Sequence, residues 1–151
     1  MKTFKKILFI IAYYLLNFTW GAIMSIIGLI ATVFAMLFLH GKPHKNGCSY
    51  TVEIGGDWGG LELGCFSFVG GYSKSDPKFF EHTRKHEFGH SLQNMILGPI
   101  AIFVSFIPSA IRYHVFQYRT KHGKKNPPYD AIWFESTATK YGTIVANWLE
   151  N

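Results

Sequence analysis

Residues 76–98 read DPKFFEHTRKHEFGHSLQNMILG. Asp76 before Pro77 is a helix start: the carboxylate can cap free amides, and proline suits the first helical position. Gly98-Pro99 is a stop signal. The stretch is therefore expected to be a helix from Pro77 to Leu97. Inside it lies His86-Glu87-Phe88-Gly89-His90. Helical residues four apart project from one face, one turn apart. Two imidazoles so placed can each give a nitrogen to one tetrahedral metal ion. Glu87 sits next to the first, too far round the helix to coordinate, but able to take a proton from a water at the metal. His86 and His90 are thus candidate metal ligands and Glu87 the candidate base, with one Zn2+ per chain as the implied cofactor.

A catalytic zinc normally has three protein ligands and an open position. Candidates for the third are Glu135, His114, His122 and Asp130. Glu135 is the best of these. It is the only ionisable group in Ile132 to Thr139, where a lone carboxylate is costly unless paired or bound to metal. Ser136, Ala138 and Thr139 are small enough for close packing against the His86–His90 helix. Asp130, after Pro127-Pro128-Tyr129, reads as the N-cap of a last helix, Ala131 to Leu149. Pro108 opens a helix reaching about Arg119, and Lys121 to Pro128 is a polar linker.

The chain has 151 residues, 48% hydrophobic and only 16% charged, against about 25% charged in soluble domains. The deficit is local. No charge occurs from Ile7 to Leu39, nor from Ser91 to Ile111. This excludes a disordered chain and argues against a purely soluble one. Two cysteines exclude a disulfide scaffold and a thiolate-rich zinc site. Basic residues border the apolar runs: Lys2, Lys5 and Lys6 before the first, Lys74 to Lys85 before the second, Arg112 to Lys125 after it. That fits anionic lipid headgroups better than nucleic acid. The lipid bilayer is the expected partner, and no nucleic acid is expected.

Residues 1–40 are expected to form a membrane anchor, as one long helix or two bent ones. The break would fall at Asn17-Phe18-Thr19-Trp20-Gly21. A bent pair returns both ends to one side and suits the positive-inside rule. It places the catalytic part on the cytoplasmic side of a bacterial inner membrane. Residues 41–151 would be a compact domain, with 91–111 lying in or against the membrane. Pro99 and Pro108 divide that segment into pieces too short to span.

His40 to Gly47 reads as a polar breaker. Tyr50 to Ile54 and Leu61 to Val69 read as strands of one hairpin joined by Gly55-Gly56-Asp57-Trp58-Gly59-Gly60. In the second run Leu61, Leu63, Cys65 and Ser67 would share one face, and Glu62, Phe66 and Phe68 the other. The fold expected is mainly α with a small β-hairpin (α+β). Membrane-embedded helices come first, then a hairpin packed on the metal-motif helix, and a C-terminal helix supplies the third ligand.

His86 to Asn94, Ile107 to Tyr113 and Pro127 to Glu135, with Thr19-Trp20-Gly21 and Asp57-Trp58-Gly59-Gly60, resemble the motifs of a family of small, largely uncharacterised bacterial membrane-associated HExxH proteins. More broadly the layout is similar to the gluzincin zinc peptidases, in which a strand precedes an HExxH helix and a second helix supplies a glutamate. The resemblance implies His86, His90 and Glu135 as ligands and Glu87 as base. Many gluzincins carry an acid four residues after the ligand glutamate. Here Thr139 stands there, so a backbone carbonyl or Asp130 would have to orient the imidazole. The resemblance also implies that Leu61, Glu62, Leu63, Gly64 and Cys65 belong to an edge strand that pairs with a peptide or protein substrate. An ordinary hairpin covering the helix is the competing reading.

Hydrolysis needs donors for an oxyanion. Tyr129, Tyr113, Tyr72 and Arg112 are candidates, though such residues also anchor at interfaces. Asn94 shares a face with His90 and could support it. Cys48 and Cys65 could pair only outside the cytoplasm. The expected function is a membrane-associated zinc peptidase. The competing class is a metal-stabilised membrane protein without catalysis that binds a partner or lipid.

Overall fold

A computed structural model describes residues 2–151. It is an α+β arrangement, mainly helical, with one small mixed sheet. The helices are α1 (Lys2–Phe18), α2 (Ala22–Phe38), α3 (Pro77–Leu97), α4 (Ile107–Lys121) and α5 (Trp133–Glu150). The strands are β1 (Lys42–Asn46), β2 (Ser49–Glu53), β3 (Gly60–Leu63) and β4 (Phe66–Val69).

The first apolar run is two helices, bent by 92° at Thr19-Trp20-Gly21. Asn94 of α3 holds the bend, its amide donating to Asn17 Oδ1 at 2.7 Å and to the Gly21 carbonyl at 3.3 Å. A side chain on Gly21 would displace the Asn94 amide that holds the bend. Among the described residues no single helix is long and apolar enough to cross a membrane.

The sheet departs from the expected hairpin. Its order is β1-β2-β4-β3, with β2 and β4 parallel and both outer pairs antiparallel. The run Leu61 to Val69 is not one strand. Gly64, at φ +72°, turns it back on itself, a conformation that glycine adopts without penalty. Leu61 then stands opposite Phe68, Glu62 opposite Ser67 and Leu63 opposite Phe66. The turn corrects the faces as well. Leu61, Leu63, Phe66 and Phe68 share one, and Glu62 shares the other with Ser67 rather than with the phenylalanines. The stretch His40 to Gly47 is no mere breaker, because Lys42–Asn46 pairs with β2 as an edge strand. Lysines and proline are normal at an edge, where one row of amides has no partner to lose.

The apolar sheet face packs on α2 through Met24, Ala35, Val52, Leu63 and Phe68. The other face carries a polar row toward α3. Asn46 donates to the Arg84 carbonyl and to Thr51 Oγ1, and Thr51 meets Ser67 at 2.7 Å. A second core joins α1, α3 and α5 through Tyr13, Phe88, Leu92 and Ala146, with Cys48 and Cys65 as buried free thiols. The central helix α3 is therefore covered by the sheet, α1 and α5, which buries both histidines of its motif.

α3 starts as expected, with Asp76 accepting from the Phe79 amide at 3.0 Å. A 3-10 turn (Gly98–Ile100) and a π-helical turn (Ile102–Phe106) lead into α4. The last helix differs from expectation. Asp130 lies in a 3-10 turn, and Ile132, with no side-chain cap, precedes α5. The Pro127-Pro128 pair keeps the chain extended, so the helix begins only after that turn has reversed it.

Candidate metal centre

Two glycines decide where Glu135 lies. Gly89 of α3 abuts the Ala138 backbone, and Gly142 of α5 abuts that of Lys85 and Gly89, so a Cβ at either would collide. With no side chains between them the helices approach at backbone distance. Glu135, one turn before Ala138, is thereby carried under the motif histidines. It is fully buried, and His86 and His90 are nearly so.

His86 Nε2 lies 3.1 Å and His90 Nε2 3.2 Å from Glu135 Oε2. One ligand atom from each of the three residues falls within 4.8 Å of the others. Glu135 Oε1 is buried with no hydrogen-bond partner among the described residues, an arrangement that is costly unless something else binds the oxygen. The donors are two imidazole nitrogens and one carboxylate. This group can hold a metal ion.

The opposite imidazole nitrogens are engaged. His86 Nδ1 meets Thr139 Oγ1 at 2.9 Å. His90 Nδ1 meets Gln93 Oε1 at 2.9 Å and Ser105 Oγ at 3.1 Å. Gln93 is fixed in turn, its amide donating to the Phe134 carbonyl and Thr137. Donation from each Nδ1–H sets the tautomer that leaves Nε2 free to coordinate. Thr139 itself thus orients His86, where a backbone carbonyl or Asp130 had been expected. Asn94 is occupied by the α1–α2 bend, and the support for His90 comes from Gln93, three residues on. Both supports were within reach of sequence reasoning: Thr139 is one turn past Glu135 and Gln93 one turn past His90.

Charge follows geometry. Burial raises the proton affinity of Glu135, but the bonds from His86 and His90 outweigh it and hold the carboxyl well below the usual range. Burial lowers that of His90, but Glu135 and the charge of Glu87 outweigh it and raise it to about 9. Glu87 is raised, mainly by burial, with the histidines opposing and Glu135 adding.

Glu87 lies against Gly60, where any Cβ would meet its carboxylate. It borders two cavities, of about 220 and 460 Å³. Trp58, Gly60, Tyr113 and Tyr129 border both as well, so the motif acid stands between two compartments of one cleft. His90 and Glu62 line the smaller, His86 and Asp130 the larger. Tyr129 and Tyr113 therefore reach the site. Arg112 instead donates to the Tyr129 and Pro128 carbonyls at 2.7 and 2.6 Å, so it positions Tyr129 and lines neither cavity. Tyr72 borders the larger cavity but donates its hydroxyl to Asp57. His114 borders the smaller cavity and His122 bonds the Tyr118 carbonyl; neither joins the ligand group. β3 is an edge strand, with β4 its one neighbour, and Gly60, Leu61 and Glu62 line the smaller cavity. Gly64 and Cys65 form the turn after it.

No protein-family model matches the chain, and no curated protein or solved structure is similar to it.

Proposed function

We propose that this chain is a membrane-associated zinc peptidase, similar in site chemistry to the gluzincins. The observation that carries the reading is the convergence of His86, His90 and Glu135 beside a cleft whose two compartments Glu87 borders. Three protein donors with an open side are what a catalytic zinc needs, and both imidazoles have their outer nitrogens held. Bound there, zinc would supply Lewis acidity toward water and the substrate carbonyl.

The chain's own groups do the rest. Glu87 takes the proton of the attacking water and returns it to the leaving nitrogen. Burial, which raises its proton affinity, suits a group that must accept that proton. Tyr129 and Tyr113 are the hydroxyl donors on the cleft wall for the developing oxyanion. The free edge of β3 can pair with an extended peptide and hold it along the cleft.

Membrane association is supported by unpartnered apolar surface. On α1, Ile7, Leu8, Ile11 and Leu15 are exposed, and on α2, Ile23, Ile30 and Leu37. Ile96 near the end of α3, and Ile100 and Phe103 after it, are exposed as well. Patches so large mark a membrane or partner face. Each arm has 17 residues, about 25 Å, short of a ~30 Å hydrocarbon core. The bent pair would seat in one leaflet, with the cleft at the cytoplasmic headgroups of a bacterial inner membrane.

The test is a peptide library offered to zinc-loaded protein in detergent, with products read by mass spectrometry. Cleavage by the wild type and none by Glu87→Gln supports the reading. Equal absence of cleavage, with zinc held by both, would favour a metal-stabilised membrane protein without catalysis.

A further inference from the structure

One wall of the cleft is hardly held by the fold. Among the described residues, α4 alone of the five α-helices has no buried side chain. Its inner face turns Ser109, Tyr113, Phe116 and Gln117 toward the two cavities. At about 100° per residue, the opposite face carries Ile107, Ile111, Val115 and Tyr118. These four line neither cavity and are 40–59% exposed, an apolar stripe along the whole helix.

Charge indicates what covers the stripe. Arg112 and Arg119 flank it on one side and Lys121 on the other. Lys124 stands over the Tyr118 ring at its end, and Lys125 follows. No acid occurs from Ser91 to Tyr129. Lys121, Lys124 and Lys125 are exposed and have no acidic partner among the described residues. An apolar stripe bordered by unpaired cations suits a helix lying in an anionic lipid surface. A second copy suits it poorly, because a chain with nine acids against fifteen bases has little charge to offer those lysines.

We propose that the outer face of α4 docks on an anionic phospholipid bilayer, so that lipid holds this wall of the cleft. This rests on the membrane-associated reading and adds a contact separate from α1 and α2. Docking reaches the site through Tyr113 on the inner face. It also reaches it through Arg112, which donates to the Tyr129 and Pro128 carbonyls.

The test uses the full chain in lipid nanodiscs, of phosphatidylcholine alone or mixed with phosphatidylglycerol. A fluorophore is attached at Ile30→Cys on α2, Val115→Cys on the outer face of α4, or Gln117→Cys on its inner face. Cys48 and Cys65 are buried and stay unlabelled. Quenching by a nitroxide on the lipid acyl chain reads contact with the bilayer. Ile30 is quenched in both lipids, Val115 only strongly with phosphatidylglycerol, and Gln117 in neither. Each lysine near an anionic surface favours docking about fivefold, so Lys121→Gln, Lys124→Gln and Lys125→Gln together lower the docked-to-free ratio of α4 about 100-fold while Ile30 stays quenched. An unquenched Val115 beside a quenched Ile30 overturns the docking alone. So does quenching at Val115 that ignores lipid charge and the three lysines, or that Gln117 shares. A Val115 label shielded from water without acyl quenching marks a second copy on that face and overturns it too. No quenching at Ile30 overturns the membrane reading together with it.

Discussion

Gly89→Ala tests how α5 delivers Glu135. The new methyl would collide with the Ala138 carbonyl, which is backbone and cannot rotate away. Carbon and carbonyl oxygen settle at roughly 3.3–3.6 Å, so α3 and α5 must part by roughly 1 Å at the crossing. Glu135 is one turn from Ala138 and moves with it. Metal–ligand distances tolerate only about ±0.2 Å. The carboxylate is then out of coordinating range, and zinc affinity falls by more than the ~10–100-fold that loss of an outer partner causes. The overpacked crossing costs about 1–3 kcal/mol of stability. Competition with a chromophoric chelator reads the first effect, and denaturant unfolding in the same detergent reads the second. Gly55→Ala is the control, because nothing lies within 4 Å of a Cβ there. Wild-type zinc affinity in Gly89→Ala would refute the claim that helix spacing sets the site.

Three more outcomes are expected. Thr139→Val removes the acceptor from His86 Nδ1, so zinc affinity drops ~10–100-fold, and Thr139→Ser restores it; chelator competition that finds Thr139→Val unchanged removes Thr139 from the site. Asn94→Ala leaves Asn17 Oδ1 without its donor and lowers stability by about 1–3 kcal/mol while zinc binding holds; a parallel fall in zinc affinity would place Asn94 beside His90 after all. Burial raises the proton affinity of Glu53, but bonds from Ser73 and His44 outweigh it and the net shift is downward. Its contribution is therefore present above the unfolded glutamate value of about 4.3 and is lost as pH falls through the lower folded value. Unfolding midpoints followed from pH 7 to 3 should decline more gently in Glu53→Gln than in the wild type, and parallel curves would count against the assignment.

Local periodicity made the metal motif legible. Four residues are one helical turn, so His86 and His90 had to share a face, and Asp76-Pro77 marked where that helix begins. Glu135 was legible because an isolated acid among apolar and small residues needs a partner. The sheet was not. The parallel pairing of β2 with β4 is set by contacts distant in sequence, and the hairpin turn at Gly64 was hidden inside an apolar run. β1 looked like a linker because an edge strand tolerates lysine and proline. Asp130 had the chemistry of a cap, but the diproline before it delays the helix. Thr139 was noticed as a departure from an acidic position, yet a hydroxyl oxygen accepts from Nδ1 as well as a carboxylate does, with less charge.

Zinc content of the detergent-purified chain tests the central claim most directly, with wild type, Glu135→Ala and Glu87→Gln measured side by side. The account predicts about one zinc per chain in the wild type, retention in Glu87→Gln and clear weakening in Glu135→Ala. A wild type that binds no zinc even after reconstitution, or a Glu135→Ala variant that binds it as tightly, would contradict it.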